Sequence, residues 1–143
     1  MNQATSGTTM RYPMNIGEAA AATGVSAKMI RHYESIGLIP APARSLSGYR
    51  NYAENEVHTL RFIRHARNLG FSVAQIGELL GLWRNQRRSS AKVRDLAQAH
   101  IAELEQKIRE MTAMKATLAH LVHCCHGDDR PDCPILENLA AGD

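Results

Sequence analysis

The sequence predicts a mainly α-helical protein in which a small domain of short helices precedes one long helix. Apolar residues recur at helical spacing over most of the 143 residues, and a stretch rich in Pro, Ser and Gly at residues 40–48 interrupts them. The helical spacing then runs from Val93 to Val122 without a Gly or a Pro. With 44% hydrophobic and 22% charged residues, the chain has the composition of a globular protein that buries a core.

The first helices of the chain are predicted after a polar segment. Residues 1–13 lack apolar periodicity and are predicted to be a flexible N-terminal tail. A short apolar run from Ile16 is interrupted at Gly24, and Ser26 is a typical N-cap for a second run that ends at Gly37. Two short helices joined by a tight turn containing Gly are the signature of a helix-turn-helix, whose second helix enters a DNA groove.

A hairpin and two further helices are predicted to complete the first domain. The Pro, Ser and Gly residues between positions 40 and 52 are typical of a two-stranded hairpin, which would form a wing beside the helix-turn-helix. Helical spacing resumes up to Gly70, and Ser72 then caps another run that reaches Trp83, the predicted anchor of the core. We therefore predict a winged helix-turn-helix DNA-binding domain with two further helices over residues 14–84.

The long helix has an apolar stripe that needs a partner. Between Val93 and Val122 the apolar positions step by three and four residues, with charged residues between them. A helix of about 30 residues is roughly 45 Å long and cannot bury such a stripe against a small domain. We therefore predict that residues 90–123 form a long antiparallel coiled-coil dimerisation helix, and that the protein is a homodimer.

The charge of the chain is distributed unevenly. Residues 1–90 carry eleven Lys and Arg against five Asp and Glu, a net charge of +6, whereas residues 91–143 carry six against nine, a net charge of −3. This asymmetry indicates that the first half binds a polyanion. A solvated charged face with two core tyrosines is the alternative interpretation. The candidate contacts to double-stranded DNA are the basic and aromatic residues of the second helix and the wing, namely Lys28, Arg31, Tyr33, Arg44, Tyr49, Arg50 and Tyr52.

The three cysteines lie within ten residues near the C-terminus. Cys124, Cys125 and Cys133 are an odd number, which makes a poor disulfide framework and a suitable metal site of reduced thiolates. Cys125 and Cys133 flank a loop rich in Gly, Asp and Pro, and two thiolates are sufficient for a soft d10 ion such as Cu(I). Pro134 would begin a short helix whose positive end faces the negative bis-thiolate.

Residues 124–143 are therefore predicted to form a C-terminal metal-binding loop and a short helix. The predicted metal ligands are Cys125 and Cys133, and Cys124 is an additional candidate ligand. Incidental reduced cysteines at a frayed helix end are the alternative interpretation.

Other classes of protein are disfavoured. No run approaches the roughly 18 apolar residues that span a bilayer, and the polar N-terminus has no signal peptide, so we expect a cytoplasmic protein with no membrane partner. An enzyme or a metal carrier that uses Cys124 or Cys125 is the alternative from another class. A nucleophilic cysteine needs a base and an orienting group, and the sequence places neither beside these residues, so we predict that the protein is not an enzyme.

The order of these elements resembles the MerR family of transcriptional regulators from Met14 onward. The resemblance implies that the dimer bends and untwists promoter DNA so that RNA polymerase engages both promoter elements. It also implies contacts to the DNA backbone from Lys28, Arg31, Tyr33, Arg44, Tyr49, Arg50 and the turn at Gly48. The motifs that carry it are Met14-Asn15-Ile16-Gly17-Glu18, Lys28-Met29-Ile30-Arg31-His32-Tyr33-Glu34, Gly37-Leu38-Ile39, Arg44 with Gly48-Tyr49-Arg50-Asn51-Tyr52, and Leu69-Gly70-Phe71-Ser72.

The C-terminal loop is similar to that of the copper-responsive branch of this family, the CueR and HmrR type. That branch has two cysteines separated by seven residues, a pattern met by Cys125 and Cys133. Relatives that sense divalent ions have another cysteine at the start of the dimerisation helix, where this chain has Ser90. The resemblance therefore implies an activator of metal-efflux genes whose effector is Cu(I), or else Ag(I) or Au(I). A sensor of another metal, such as gold, mercury or lead, is the alternative within the family.

Overall fold

The computed structural model describes residues 11–142, which form two compact units divided between Arg88 and Ser89. The predicted tail lies outside these residues except for its last three. Of those three, Tyr12 is half-buried and packs against the core of the first unit.

The first unit contains a helix-turn-helix, a hairpin and two further helices, in the order that the sequence predicted. Among the described residues its elements are α1 (Ile16–Thr23), α2 (Ala27–Ser35), β1 (Ala43–Arg44), β2 (Arg50–Asn51), α3 (Glu54–Asn68) and α4 (Val73–Arg84).

The predicted helix caps are present. Ser26 accepts a hydrogen bond from the Met29 N–H at 3.1 Å and begins α2. Ser72 begins α4 with a reciprocal capping box, in which it accepts from the Gln75 N–H at 3.1 Å while the Gln75 side chain accepts from the Ser72 N–H at 2.7 Å. The boundaries of these two helices therefore follow from local sequence.

The core lies among the four helices of this unit. Helix α1 packs against α2 and α3, and α3 packs against α4. Trp83, the predicted core anchor, is instead 43% exposed and stacks on Phe62 with ring centroids 4.6 Å apart. The largest fully buried side chains are Tyr52, Ile30, Leu60, Ile63, Ile76 and Val57.

The segment before α1 joins the wing. Met14 and Tyr52 form an antiparallel bridge in which each N–H donates to the other residue's carbonyl, at 2.8 and 2.7 Å. Met14 is 5% exposed and belongs to the core of the first unit, so this bridge ties the end of the wing to the core. The sequence did not predict this pairing.

The second unit consists of one long helix, a loop and a short helix. Helix α5 spans Ser90–Cys124, residues 125–133 form the loop, and α6 spans Pro134–Ala141 and packs against α5. With 35 residues, α5 is about 50 Å long. No helix among residues 11–142 has the length and apolar character needed to cross a membrane.

An apolar stripe on α5 is uncovered within the second unit. Its members are between 37% and 65% exposed, although each is a large hydrophobic side chain. They recur at the three- and four-residue steps of one helix face. The stripe consists of Ile101, Leu104, Ile108, Met111, Met114, Leu118 and Val122.

Candidate nucleic-acid interface and metal centre

The turn between α1 and α2 is held in place by Gly24 and Arg64. Gly24 ends α1 with φ +76°, a left-handed conformation, and its N–H donates to the Ala20 carbonyl at 2.9 Å. The Arg64 guanidinium, which comes from α3, donates a hydrogen bond to the Gly24 carbonyl. A Cβ atom at position 24 would lie 2.7 Å from Arg64 Nη1, so glycine permits both the turn and this close approach. The sequence predicted the turn but not its contact with α3.

Helix α2 presents two cations to solvent. Lys28 and Arg31 are exposed, whereas Ile30 and Tyr33 on the same helix are buried. Because residues three apart share a helix face, both cations lie on the outward side of the second helix of the helix-turn-helix. That placement suits contact with phosphates or base edges in a groove.

The tip of the wing is also exposed. Strands β1 and β2 pair antiparallel, with Arg44 opposite Arg50. The turn between them closes through Gly48, which has φ +88° and whose carbonyl accepts a hydrogen bond from Arg44 Nη1 at 3.0 Å. Tyr49 is 71% exposed. Arg44, Gly48 and Tyr49 are therefore accessible to a large ligand, as a DNA-contacting wing requires.

Glu34 connects the wing to α2. Its Oε1 accepts a hydrogen bond from Arg50 Nε at 3.0 Å in a salt bridge, and its Oε2 accepts one from the Tyr52 hydroxyl at 2.5 Å. Burial, followed by the hydrogen bond to Glu34, raises the pKa of Tyr52 well above its ordinary value. Sequence reasoning did not identify Glu34 as a functional residue, because its partners are 16 and 18 positions away along the chain.

Two of the candidate DNA contacts lie in the core. Tyr52 is 1% exposed and Tyr33 is 4% exposed, so the structure does not support a surface role for either side chain. Tyr52 is buried because its hydroxyl donates a hydrogen bond to Glu34, and Tyr33 is buried because it lies on the inward side of α2 beside Ile30. Arg50 is only partly available for a DNA contact, since its side chain is 27% exposed and its Nε already donates a hydrogen bond to Glu34.

The two predicted metal ligands lie at the two ends of one loop. Cys125 caps the C-terminus of α5, and Cys133 is the N-cap residue of α6, with Pro134 at the first helical position. Gly127 has φ +66°, and Asp128 and Arg130 form a salt bridge at 2.8 Å across the tip of the loop. Both cysteines are free thiols of intermediate exposure. The loop thus turns back between two helix ends, each of which carries one thiol.

Cys124 is placed differently from the other two cysteines. It is the last residue of α5, it is exposed, and its Sγ lies 3.7 Å from His120 Nε2 one helical turn earlier. Within residues 11–142, no three His, Cys, Asp or Glu side chains come together in a group that could hold a metal ion. The structure therefore does not bring Cys124 into a three-ligand cluster with Cys125 and Cys133.

Two family models match the chain, one within the first unit and one that extends from the first unit into the second. The model described as MerR family regulatory protein matches residues 15–52, and the model described as MerR, DNA binding matches residues 57–121. The first match contains the helix-turn-helix and the wing. The second match extends from α3 along most of α5.

Curated relatives match over nearly their whole length. The chain is 60% identical over 129 residues to heavy metal-dependent transcription regulator 2 of Rhizobium meliloti, covering 90% of this chain and 88% of that protein. It is 42% identical over 127 residues to the HTH-type transcriptional regulator CueR of Escherichia coli O6:H1, covering 89% of this chain and 94% of that one.

A solved structure shares the fold as well as sequence. The transcription regulator PbrR691 from Ralstonia metallidurans CH34, crystallised in complex with lead(II), superposes with a TM-score of 0.74 at 34% identity. The match covers 88% of this chain and 98% of that chain. Similarity therefore extends over both compact units.

Proposed function

Because the chain belongs to the MerR family of transcriptional regulators, we propose that it activates metal-efflux genes in response to Cu(I) or Ag(I). Membership of this family makes the protein a DNA-binding regulator and not an enzyme. The relatives above are named for heavy-metal dependence and, at 42% identity, as CueR.

The observation that carries the metal assignment is the pair of thiols at the loop ends. Cys125 and Cys133 are half-buried at the end of α5 and the start of α6, without a cluster of three ligands anywhere in residues 11–142. Two thiolates satisfy a monovalent d10 ion such as Cu(I), whereas Zn(II) takes four ligands, of which at least three come from the protein. The complex of two thiolates with a +1 ion is a net anion, which the N-terminus of α6 beside Cys133 favours.

The loop also supplies the link between metal and DNA. An ion bound by both cysteines holds the start of α6 to the end of α5, the helix that carries the exposed apolar stripe. We propose that this stripe pairs with a second copy in a homodimer, because seven large apolar side chains on one helix face are uncovered in a single chain. The metal favours the activating state only if it binds that state more tightly than the other.

The DNA-binding surface consists of the exposed face of α2 and the tip of the wing. Lys28 and Arg31 on α2 and Arg44 and Tyr49 on the wing contact the backbone of double-stranded promoter DNA in this proposal, and the turn at Gly48 brings the wing close to it. In a homodimer these surfaces occur twice and bend the promoter between them. Smooth bending of a site of this size costs on the order of 1–6 kcal/mol, which the added contacts and the metal offset. RNA polymerase then engages the distorted promoter.

The test is transcription in vitro from a promoter that the protein binds. We expect Cu(I) and Ag(I) to activate, and Zn(II) and Hg(II) to be weak or inactive. The double variant Cys125→Ser, Cys133→Ser should still bind the promoter and stay silent with every metal. Because its three cysteines are free thiols, the protein is assayed under the reducing conditions of the cytoplasm, where we propose that it acts.

Two results would overturn the assignment. Activation by Hg(II) or lead(II) in preference to Ag(I) would make the protein a sensor of divalent ions like the lead-bound relative. A response of the double variant to Ag(I) would place the sensing ligands elsewhere. Family membership and DNA binding would stand in both cases.

A further inference from the structure

The tip of the wing carries an apolar side chain that the proposed function does not use. Leu46 has a relative exposure of 110%, so its side chain is as accessible as in an extended peptide, and it is the most exposed of the large apolar side chains among residues 11–142. The residues on either side of it, Ser45 and Ser47, are polar. An apolar side chain gains free energy only when it leaves water, so Leu46 contributes nothing of this kind to the fold of a single chain.

Hydrogen bonds hold the tip in one conformation. The Gly48 N–H donates to the Ser45 carbonyl at 2.9 Å and closes a turn with Leu46 and Ser47 at its centre. The Ser45 N–H donates to the Tyr49 carbonyl at 2.7 Å, and the Tyr49 N–H donates to Ser45 Oγ at 3.2 Å. Ser45 Oγ and Ser47 Oγ are hydrogen-bonded at 3.0 Å. Leu46 is therefore presented on a turn that is already formed, which lowers the entropy that is lost when a partner buries it.

The residues that flank the tip indicate that this partner is DNA. Arg44 ends β1 and Tyr49 precedes β2, both are exposed, and both contact the DNA backbone in the proposed function. Leu46 lies between them in the chain, so its surface is continuous with the proposed interface. A role for Leu46 in DNA binding thus rests on the proposed placement of the wing against DNA.

The shape of the tip suits a minor groove. With α2 in the major groove, the neighbouring grooves that remain for the wing are minor grooves, which are about 6 Å wide. A groove of that width admits a side chain but not a whole strand, and leucine is among the apolar side chains that insert into minor grooves. Arg44 and Tyr49, on either side of the turn, would then meet the phosphates at the two edges of the groove.

We propose that Leu46 enters the minor groove next to the segment bound by α2 and packs against the deoxyribose sugars that form its walls. Packing of this kind excludes water but releases no counterions, so it strengthens binding equally at every salt concentration. This property separates a contact by Leu46 from the phosphate contacts of its cationic neighbours.

The first test measures the affinity of the full-length protein for its promoter fragment by fluorescence anisotropy at several salt concentrations. Leu46→Ser should weaken binding about 10- to 100-fold in a dimer, which loses two contacts, and should leave the slope of log affinity against log salt unchanged. Leu46→Met keeps an apolar side chain of similar size and should bind nearly as tightly as the unaltered protein. Urea unfolding should not distinguish the three proteins, because Leu46 is fully exposed in the fold.

The second test locates the contact on DNA. Replacement of adenine by 2,6-diaminopurine adds an amino group to the minor groove, where guanine also carries one, and leaves the major-groove edge of the base unchanged. Scanned along the fragment, this replacement should weaken binding of the unaltered protein at positions under the wing in each half of the site, and should have a smaller effect there on Leu46→Ser. Replacement of thymine by uracil at the same positions removes a methyl group from the major groove and should have little effect on either protein.

Equal affinities of Leu46→Ser and the unaltered protein would overturn the role of Leu46, and so would equal losses in Leu46→Ser and Leu46→Met. Greater sensitivity to uracil than to diaminopurine would place Leu46 against thymine methyl groups and overturn insertion into the minor groove.

Arg44→Ala tests the placement of the wing separately, since loss of a phosphate contact should reduce the salt slope by about 2 in a dimer. An unchanged slope would remove the wing from the proposed DNA-binding surface. A reduced slope without an effect of Leu46→Ser would overturn the role of Leu46 alone. Neither result changes the proposed metal assignment.

Discussion

At the scale of single residues, the side chain of Glu34 determines how the wing is attached to the helix that precedes it. Its carboxylate is 9% exposed and accepts charge-assisted hydrogen bonds from Arg50 and, through the second oxygen, from Tyr52. A carboxylate buried to this degree is tolerated only when its oxygens are satisfied, so the three residues act as a unit. The wing is therefore positioned against α2 before DNA is bound.

Tyr52 is expected to make stability sensitive to alkaline pH. Burial and the Glu34 hydrogen bond raise its folded-state pKa above the ordinary value of about 10, so above that pH the unfolded chain loses a proton that the folded chain keeps. The free energy of unfolding should therefore fall as pH rises, by up to about 1.4 kcal/mol per pH unit. In the Tyr52→Phe variant this fall with pH should be absent. The variant should be less stable than the unaltered protein at neutral pH, by about 1–2 kcal/mol.

Urea unfolding of both proteins at about pH 8, 10 and 11 measures this difference. Every other titratable group is common to the two proteins, so its contribution cancels in the comparison. Parallel pH profiles would contradict a raised pKa at Tyr52.

Alanine substitutions at Gly24 and Gly37 distinguish two costs to folding stability, one from backbone strain and one from losing the Arg64 contact. Both have left-handed φ angles, +76° and +78°, but a Cβ atom would approach Arg64 only at Gly24 and would meet nothing within 4 Å at Gly37. We expect Gly37→Ala to lower the free energy of unfolding by about 1–2 kcal/mol, from backbone strain alone. Gly24→Ala should cost about 0.5–1.5 kcal/mol more, because Arg64 must release the Gly24 carbonyl.

The control for this pair is the same two substitutions in an Arg64→Ala background, measured by urea unfolding. There the excess cost at position 24 should disappear. An excess that persists without Arg64 would show that the turn is strained for another reason.

At the scale of elements, α5 is the part of the chain that a single copy leaves incomplete. Its 35 residues are capped at Ser89, whose hydroxyl accepts from the Ala91 N–H at 3.1 Å, and continue without a break to Cys124. Local sequence explains the length of this helix, since no Gly or Pro interrupts it. The exposed stripe has no such local explanation and points to a partner surface.

A charge placed on the stripe should prevent dimer formation. Ile108 is 62% exposed in the single chain, and Ile108→Glu would bury a carboxylate in the proposed helix pair. We expect this variant to sediment as a monomer at concentrations at which the unaltered protein is a dimer. Ala113→Glu introduces the same charge at an exposed position off the stripe and should leave the dimer intact. Identical behaviour of the two variants would argue against this face as the interface.

At the scale of the whole molecule, charge is divided between the two units. The basic part coincides with the first unit, which contains the helix-turn-helix, the wing, α3 and α4, and the acidic part with α5, the loop and α6. Contacts with phosphates release counterions, so the affinity of such a surface for DNA falls steeply with salt. The second unit should contribute little to this dependence.

Removal of Arg31 should therefore lower the salt dependence of DNA binding. Each phosphate contact contributes about 0.9 to the slope of log affinity against log salt, so Arg31→Ala should reduce the slope by about 2 in a dimer. Lys107→Ala removes the same charge from an exposed position on α5 and should leave the slope unchanged. Fluorescence anisotropy on one promoter fragment at several salt concentrations makes the comparison. Equal reductions in both variants would mean that net charge, and not a contact at Arg31, is responsible.

Much of the fold could be predicted because its signals are local. The caps at Ser26 and Ser72, the turn at Gly24 and the unbroken periodicity of α5 each involve residues within a few positions of one another. For the same reason, the exposure of Lys28 and Arg31 on one face of α2 follows from helical spacing.

The roles of the tyrosines were decided by tertiary structure. A Tyr residue suits both a core and a phosphate contact, and neither its type nor its spacing distinguishes them; only the packing of α2 and the wing places Tyr33 and Tyr52 inside and Tyr49 outside. The same holds for Glu34, whose partners are brought to it by the fold. The sequence by itself thus determined the elements and their order, because these depend on neighbours along the chain. Tertiary structure decided which side chains remain free to meet DNA and metal, because burial depends on neighbours in space.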